Sequence, residues 1–470
     1  MSADIAIIGA GSGGLSVAAA AAQLGAKTLL FEQHLMGGDC LNTGCVPSKS
    51  LLAAGRAAEA RRTSLPFGIL PADPQIDWHA VHNHVRQVID GIAPHDSVAR
   101  FRALGAEVIQ QQASFASPRE ILADGQLYRF KYAVIATGSR PVLPPIAGLA
   151  QCKPLTNETL FDLAEKPDRL LILGGGPIGV EMALAHQRLN VPVQLVEAGQ
   201  LLAREDRQLA DIVAERLAAA GVEIHQQALV TKAGRTGKTV WLELADGRRL
   251  EGSHLLVAAG RQAVTDGLGL DRAGVVTQAG GVQTDNRLRT SNRRIFAIGD
   301  VTGRQQFTHI AAAHASIVIR NILFWMPARL DDRASVRVTY TDPELAQIGL
   351  TEAEAREKFG AGAIQLASWP LAQNDRARAD RRTEGLIKLV ADRRGRLLGA
   401  SILAPSAGEM IAVIAAAMAG QLKLSQLAGL VLPYPSYSES IKRAAGNHFA
   451  ARLFSPRVRQ LVRLLLRLTR

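Results

Sequence analysis

Cysteine is scarce in this sequence, with three residues in 470. A secreted protein held together by disulfide bonds needs more cysteines, so the count excludes that class and favours a reducing, cytoplasmic location. A disulfide formed in such a compartment is expected to be catalytic. The sequence also has no uninterrupted apolar run of about 18 residues, the length needed to span a membrane as a helix.

Acidic residues are outnumbered, and the net charge is +12. A basic excess is typical of nucleic-acid-binding proteins. The arginines are scattered along the chain, however, except for one cluster at the C-terminus, so no nucleic-acid partner is expected. The apolar stretch 5–22 has no basic start and is interrupted by glycines. A strand, a turn and a helix therefore explain it better than a signal peptide.

Two of the three cysteines, Cys40 and Cys45, are five positions apart. On a regular helix they would be separated by a rise of roughly 7.5 Å, whereas a disulfide needs Cα atoms within about 4.4–6.8 Å. A bond between them requires a distorted turn, which Gly44 and Pro47 favour. A thiol at a helix N-terminus is stabilised as thiolate, and Lys49 adds positive charge one turn along. The pattern indicates a redox pair; a structural disulfide or two unrelated buried thiols are the alternatives.

A dinucleotide-binding motif lies near the N-terminus. The apolar run 4–8 leads into a glycine-rich turn containing Gly9, Gly11 and Gly14, then an alanine-rich helix and a second strand that ends at Glu32. Glycines let the backbone approach a pyrophosphate at the helix N-terminus, and a carboxylate at this distance accepts hydrogen bonds from ribose hydroxyls. The context favours a βαβ nucleotide-binding unit.

The same pattern occurs a second time. The strand 170–173 is followed by Gly174, Gly176 and Gly179, a helix, and a strand that ends at Glu197. Two such motifs imply two dinucleotides. Beside a redox cysteine pair, FAD and a nicotinamide coenzyme are the simplest combination.

The choice of coenzyme depends on Glu197. A carboxylate accepts a hydrogen bond from a ribose 2′-OH but repels a 2′-phosphate, so NAD(H) is favoured over NADP(H). Arg204 lies close enough in sequence to serve a 2′-phosphate, which keeps NADP(H) as the alternative.

Two further groups of residues could suggest metal or thiol chemistry. His79, His82 and His84 form a histidine-rich stretch, but no cysteine or carboxylate cluster completes a metal site, so exposed helix residues are expected and no metal. The third cysteine, Cys152, is expected to be a lone, unreactive thiol rather than an electron relay.

These motifs resemble those of the class I pyridine nucleotide-disulfide oxidoreductases, which include dihydrolipoamide dehydrogenase, glutathione reductase and mercuric reductase. The resemblance covers residues 4 to about 454. It implies an α/β fold with two Rossmann-like three-layer domains, for FAD and NAD, and a C-terminal α+β dimerisation domain. It also implies that Cys40 is the interchange thiol that meets the substrate. Cys45 would lie against the flavin and form a thiolate-to-flavin charge-transfer complex.

The resemblance assigns further roles. It implies that Glu181 pairs with Lys49 near the edge of the flavin where hydride arrives. It also implies further cofactor-binding positions. Thr137 and Gly138 form the turn that closes the first lobe of the flavin domain, and Gly260 lies at the exit from the nicotinamide domain. Asp300 is expected to hydrogen-bond the ribityl chain of FAD.

The domain boundaries follow from the order of these motifs. The FAD-binding domain is expected at 1–146 and 262–334, and the NAD(P)-binding domain at 147–261. The interface domain is expected at 335–455, with a basic tail at 456–470. In this family the active site is shared between subunits, so a homodimer is implied.

The sequence departs from the family at the position of a catalytic histidine. Disulfide-reducing members have a His-Pro-x-x-x-Glu pattern; here Glu439 is present, but the histidine is replaced by Tyr434. A phenol with a pKa near 10 cannot take a proton from a thiol at pH 7 as imidazole does. A tyrosine here is similar to mercuric reductases, yet the C-terminal cysteine pair of those enzymes is absent.

The C-terminal tail is a second departure. Apolar residues repeat at helical spacing on one side: Val458, Leu461, Val462 and Leu465. Basic residues line the other side: Arg459, Arg463, Arg467 and Arg470. Such a helix can make peripheral contact with an anionic membrane through residues 457–470, or it can pack on its own dimer.

The sequence therefore predicts an oxidoreductase that passes electrons from NAD(P)H through FAD to a Cys40–Cys45 disulfide. The expected final acceptor is a small-molecule disulfide or thiol-bound acceptor, as for dihydrolipoamide dehydrogenase. Two alternatives stay open: a metal-ion reductase similar to mercuric reductase, and a redox-responsive interaction protein docked through its tail.

Overall fold

The structure is a computed structural model that describes residues 2–331, 333 and 335–468. Its α-helices are α1 Ser12–Gln23, α2 Gly38–Asn42, α3 Cys45–Arg62, α4 Trp78–Ile92, α5 Val98–Ala103, α6 Asn157–Leu160, α7 Pro177–Arg188, α8 Arg207–Ala219, α9 Thr308–Leu323, α10 Glu352–Phe359, α11 Asp375–Ala379, α12 Ala407–Ala419, α13 Leu424–Ala428, α14 Glu439–Leu453 and α15 Pro456–Leu468.

The strands are β1 Ser2–Ile8, β2 Thr28–Phe31, β3 Ala106–Ile109, β4 Ala113–Ser117, β5 Glu120–Ala123, β6 Gln126–Ile135, β7 Ser139–Pro141, β8 Leu170–Leu173, β9 Val193–Val196, β10 Glu223–His225, β11 Val230–Thr236, β12 Thr239–Leu244, β13 Arg249–Gly252, β14 His254–Val257, β15 Arg261–Ala263, β16 Thr277–Gln278, β17 Gly281–Val282, β18 Ile295–Ala297, β19 Val336–Thr339, β20 Glu344–Gly349, β21 Ile364–Pro370, β22 Leu386–Asp392 and β23 Leu397–Ala404.

Residue contacts divide the chain into two units. The first contains residues 1–199 and 220–330, and the second contains residues 200–219 and 331–470. The first unit holds both glycine-rich motifs, and the second holds the strands that follow Leu330. The finer division into FAD, NAD(P) and interface domains stays a prediction.

The first sheet of unit one is built around β1. Five parallel strands run in the order β3-β2-β1-β6-β18. Both faces of β1 are buried, because Ile5 and Ile7 enter one core cluster while Ala6 and Ile8 enter another. This explains why the strand appears in the sequence as a continuous apolar run rather than an alternating pattern.

The second sheet has the same arrangement as the first. Its parallel strands run in the order β10-β9-β8-β14, which corresponds to β3-β2-β1-β6 in the first sheet. Helix α1 follows β1 in the first sheet, and helix α7 follows β8 in the second. The repetition confirms the predicted α/β fold with two Rossmann-like parallel sheets. A short antiparallel pair, β7 with β15, brings residues 139–141 beside residues 261–263.

Unit two contains an antiparallel sheet in the order β19-β20-β23-β22-β21. Helices α12, α13 and α14 contribute buried side chains to the same core as this sheet. The segment that leads into α8 is tied to the sheet by ion pairs of Glu205 with Arg337 (3.0 Å) and of Asp206 with Lys388 (2.8 Å). The arrangement confirms the predicted α+β character of the C-terminal part.

Candidate active site

The first glycine motif leaves space for a ligand at the start of α1. Gly9 has a φ of +105°, and a Cβ there would lie 2.4 Å from the carbonyl oxygen of Ala136. A Cβ on Gly14 would lie 1.9 Å from the Gly9 carbonyl oxygen, so only glycine lets the helix pack this closely on the strand. A Cβ on Gly11 would meet nothing within 4 Å. The first turn of α1 is therefore open to a phosphate.

The second motif has the same geometry at the start of α7. A Cβ on Gly174 would lie 2.4 Å from the carbonyl oxygen of Ala258, and a Cβ on Gly179 would lie 1.9 Å from that of Gly174. Gly176 faces open space, like its counterpart in the first motif. Both glycine turns thus leave the backbone at the helix start open to close approach by a phosphate.

The two acidic residues at the strand ends are held in matching ways. Glu32 accepts backbone hydrogen bonds from Ala10 (2.7 Å) and His34 (2.8 Å). Glu197 accepts them from Gly175 (2.6 Å) and Gly199 (2.8 Å). Each carboxylate is therefore fixed beside its glycine turn, while its remaining lone pairs can accept further hydrogen bonds.

The residues expected around the flavin lie together at the carboxyl ends of β6 and β18. Thr137 Oγ1 donates to the carbonyl oxygen of Val264 (2.7 Å), and Gly138 has a φ of +71°. Asp300 is half-buried, and desolvation raises the pKa of its carboxyl group against the effect of a 2.6 Å hydrogen bond from Ser139 Oγ. These groups fit a bound FAD: a carboxylate and a close glycine turn face the end of the sheet where nucleotides bind.

The two cysteines occupy two separate helices rather than one distorted helix. Cys40 lies in the short α2, and Cys45 is the first residue of α3. Gly44 makes this break possible, because a Cβ there would lie 2.8 Å from the carbonyl oxygen of Asp39 and 3.3 Å from the Cα of Cys40. The break returns the chain on itself and brings the two thiols into hydrogen-bonding contact.

The two thiols differ in acidity. The pKa of Cys45 is lowered to about 6, first by the hydrogen bond from Cys40 and then by Thr308 and Lys49, against the opposing effect of burial. The pKa of Cys40 is raised, first by its hydrogen bond to Cys45 and then by burial. The Sγ atom of Cys45 lies 3.5 Å from the Thr308 hydroxyl at the start of α9. In the dithiol state both effects favour the thiolate on Cys45 over the thiolate on Cys40.

Lys49 and Glu181 form the ion pair expected from the resemblance. The Lys49 ammonium lies 2.7 Å from Glu181 Oε2, although 132 residues separate them in sequence. The Glu181 side chain is only 6% exposed. Lys49 lies on α3 one turn beyond Cys45, so its positive charge lowers the pKa of the thiol, while Glu181 opposes that effect.

A polar network that no sequence motif indicated lies beside Cys40. Arg261 contacts Asp39 (3.0 Å), the residue before Cys40, and donates to Ser139 Oγ (2.8 Å). Asn157 donates to the same aspartate at 2.7 Å. The network links α2 to the β7–β15 pair and, through Ser139, to Asp300. The sequence signal for this network was the position of Arg261 directly after Gly260.

Tyr434 and Glu439 lie in unit two. The Tyr434 hydroxyl donates to Asp375 Oδ2 (3.0 Å), and this hydrogen bond raises the pKa of the exposed phenol. Glu439 is the first residue of α14 and forms an ion pair with Arg443 at 2.8 Å. The structure therefore brings Cys40, Cys45, Lys49 and Glu181 together in unit one, and it places the other two predicted catalytic residues in unit two.

Other candidate groups are isolated from this site. Cys152 is buried and donates to the Gly148 carbonyl oxygen (3.2 Å), and burial raises the pKa of its thiol. His79 and His84 are exposed on α4, and His82 is half-buried there.

Within the part of the chain that the structure describes, no three His, Cys, Asp or Glu residues are grouped so that they could hold a metal ion. The same residues include no helix long and apolar enough to cross a membrane.

Comparison with known proteins identifies the family. Residues 3–315 match the family of pyridine nucleotide-disulphide oxidoreductases, and residues 335–445 match the dimerisation domain of that family. The chain belongs to the pyridine nucleotide-disulphide oxidoreductases. It is similar to a mercuric reductase of Streptomyces lividans, with 37% identity over 454 residues, 94% of this chain and 95% of the relative. It is also 31% identical to a dihydrolipoyl dehydrogenase of Bacillus subtilis, covering 94% of this chain and 97% of the relative.

Solved structures with a similar fold include a flavoprotein disulfide reductase. The Cu(II) complex of the HOCl-induced flavoprotein disulfide reductase RclA from Escherichia coli has a TM-score of 0.84 and 31% identity, covering 94% of this chain and 99% of that one. LpdA from Mycobacterium tuberculosis has a TM-score of 0.86 and 28% identity, with the same coverage. The chain is thus a flavin-dependent disulphide oxidoreductase of a family that binds FAD and a pyridine nucleotide, and its dimerisation domain supports a homodimer.

Proposed function

We propose that Cys40 and Cys45 are the redox pair of this oxidoreductase, with Cys45 next to the flavin and Cys40 facing the acceptor. The surroundings of Cys45 carry this proposal: its thiol contacts Cys40, lies 3.5 Å from the Thr308 hydroxyl and stands at the start of α3, one turn before Lys49. The lowered pKa of Cys45 and the raised pKa of Cys40 agree with this geometry. A thiolate held at Cys45 is suited to electron exchange with a neighbouring ring. A protonated Cys40 becomes the attacking nucleophile once a base removes its proton.

When bound, FAD would accept a hydride from the reduced coenzyme and deliver two electrons to the cysteine disulfide. Those electrons cleave the Cys40–Cys45 bond, and one proton is kept on Cys40. Cys40 then gives up this proton, and its thiolate attacks one sulfur of an acceptor disulfide; the expelled thiolate takes the proton and leaves as the first thiol. The Cys45 thiolate attacks Cys40 in the mixed disulfide, releases the second thiol and restores the pair. The second thiol takes its proton from the solvent, so two electrons and one proton from the hydride, together with one solvent proton, reach the acceptor in each cycle.

We infer that NADH is the preferred coenzyme. Glu197 is fixed beside the second glycine motif by two backbone hydrogen bonds of 2.6 and 2.8 Å. A carboxylate in that position accepts from a ribose 2′-OH and repels a 2′-phosphate.

The ion pair beside Cys45 provides a test of its thiolate character. Lys49→Met is expected to raise the pKa of Cys45 above its value of about 6, because the nearby positive charge is lost. Glu181→Gln is expected to lower that pKa, because a negative charge is lost. Each shift should be about 1 pH unit or more. The measurement is the pH dependence of the long-wavelength thiolate band in the two-electron-reduced enzyme, with Lys49→Arg as control. Shifts of the same sign in both variants would contradict the assignment.

The preferred acceptor in this proposal is a small disulfide or thiol-bound compound, reduced at a site shared between the two subunits. The alternative is a metal ion: relatives of this chain include mercuric reductases, and Tyr434 replaces the histidine of the disulfide-reducing members. In both cases the compartment that we propose is the cytoplasm, where a reducing environment keeps Cys40 and Cys45 available as thiols.

Tyr434→His distinguishes these two acceptors. If the acceptor is a disulfide, the imidazole should raise its turnover at pH 7 by about 10²-fold, since general base catalysis typically contributes 10²–10⁴-fold. Tyr434→Phe is the matched control and should leave turnover unchanged, because the pKa of the phenol is above its usual value near 10. Steady-state NADH oxidation with lipoamide, glutathione disulfide and Hg(II) is the measurement. Unchanged disulfide turnover with weaker Hg(II) reduction in Tyr434→His would favour the metal ion.

We also propose a peripheral membrane contact through residues 457–470. Helix α15 within this segment has an apolar face and an arginine-rich face, and none of its described residues is buried.

A further inference from the structure

Helix α15 has two chemically opposite faces. With 100° per residue, most of the apolar side chains cover one broad sector: Val458, Leu461, Val462, Leu464, Leu465 and Leu468. Leu466 lies at its edge, next to Arg459. The opposite sector carries Arg459, Arg463 and Arg467, whereas Arg457, in the first turn, lies between Leu464 and Leu468 on the apolar side. Leu461 and Leu468 are 53% and 74% exposed, so the apolar sector is accessible along the whole helix.

The charge of this region has a single sign. No aspartate or glutamate occurs between residues 440 and 470. Eight lysines and arginines occur there: Lys442, Arg443, Arg452, Arg457, Arg459, Arg463, Arg467 and Arg470. On α10 and at α11, exposed arginines are neutralised by acidic residues four positions away. The arginines of α15 have no acidic residue within the helix to form such ion pairs.

These properties favour a lipid surface over a helical protein partner. Helices that pair with other helices usually carry both signs of charge beside the apolar seam, and these charges set register and partner. A helix with arginine as its only charged residue would repel a second copy of itself. The match to the dimerisation domain of the family ends at residue 445, so α15 lies outside the matched segment.

We propose that α15 lies in the plane of an anionic phospholipid leaflet, with its apolar sector at the boundary between headgroups and acyl chains and its arginines on the lipid phosphates. This inference names the partner of the membrane contact proposed above, and it is independent of the electron path. Because the family dimerises, each dimer presents two such helices, and binding of the first raises the effective concentration of the second at the same surface.

The experiment uses the full-length holoenzyme and co-sedimentation with vesicles. Binding is expected to vesicles of phosphatidylcholine with phosphatidylglycerol, to weaken as salt is raised, and to be absent with phosphatidylcholine alone. The triple variant Arg459→Gln, Arg463→Gln and Arg467→Gln should bind about 100-fold more weakly, since each arginine near an anionic surface contributes roughly fivefold. Equal binding to neutral vesicles would overturn the proposal.

A charge-matched control separates the tail from the overall basicity of the protein. Arg119, Arg293 and Arg329 are exposed arginines of unit one. Changing all three to glutamine also lowers the net charge from +12 to +9, that is 12 minus 3, and should leave vesicle binding within about twofold of the wild type. An equal loss in both triple variants would overturn the proposal by showing that net charge alone drives binding.

Apolar insertion and self-association need separate measurements. Leu461→Gln with Leu468→Gln should weaken binding by at least about tenfold, because two apolar side chains no longer enter the lipid. In the absence of vesicles, light scattering should give the same dimer for the wild type and for a chain ending at residue 455. A tail-dependent larger assembly would identify a second copy as the partner and overturn the proposal. NADH oxidation in solution should be unchanged in all tail variants, so failure of the redox proposal would be recognised separately.

Discussion

Cys45→Ser is expected to lower NADH-driven disulfide reduction by roughly 10³-fold or more, because loss of an essential nucleophile removes most of the catalytic acceleration. The flavin should still be reduced by NADH in this variant. Neither the glycine motifs nor the ion pair of Lys49 with Glu181 depends on the thiol. The measurement is steady-state turnover with a disulfide acceptor beside stopped-flow reduction of the flavin.

Substitution of the other cysteine, Cys40, should give a variant with a different absorption spectrum. Cys40→Ser should lose turnover to a similar extent, yet a serine hydroxyl can still donate a hydrogen bond to the Cys45 sulfur, which keeps its pKa low. Oxidised Cys40→Ser should therefore show a long-wavelength band that oxidised Cys45→Ser lacks. Cys152→Ser is the control, since that thiol is buried and bonded to the Gly148 carbonyl oxygen, and it should keep full turnover. Identical spectra in the two active-site variants would contradict the assigned roles.

The two glycine motifs lead to a reciprocal prediction. Gly14→Ala should yield protein with less than about a tenth of its FAD, because the new Cβ would lie 1.9 Å from the Gly9 carbonyl oxygen and displace α1. Gly179→Ala creates the same 1.9 Å conflict with Gly174 in the second motif. That variant should keep its FAD and lose affinity for NADH by about 10- to 100-fold, since relieving such a clash typically costs 1–3 kcal/mol.

The measurements are the ratio of flavin to protein absorbance after purification and the NADH concentration that half-saturates flavin reduction. Gly91→Ala is the control, because a Cβ at that helical position would meet nothing within 4 Å. If Gly179→Ala loses FAD and Gly14→Ala loses only NADH affinity, the two motifs have been assigned to the wrong nucleotides.

The sequence predicted the parts of the fold that depend on local pattern. Both βαβ units follow from short apolar strands, glycine turns and terminal carboxylates, and the structure repeats the same strand order around each of them. The contact of Lys49 with Glu181 spans 132 residues, and no local pattern predicts it. It could be expected only because the resemblance relates both positions to one family.

Other features depend on contacts that a sequence does not show. The sequence indicated a strained turn between Cys40 and Cys45, whereas the chain ends one helix and begins another, because Gly44 packs against the Asp39 carbonyl oxygen. The network of Arg261 with Asp39 was missed because the two residues are far apart in sequence and only the folded chain brings them together. Thr308 was missed for the same reason, although its hydroxyl lies 3.5 Å from the Cys45 sulfur.

The most direct test of the central claim, that the cysteine pair relays electrons, is an anaerobic titration of the purified flavoprotein with NADH, followed by visible absorption. The account predicts a long-wavelength band that reaches its maximum at two electrons per flavin in the wild type and does not form in Cys45→Ser. If the wild-type flavin bleaches without that band and the two proteins titrate alike, the cysteines are off the electron path and the account is wrong.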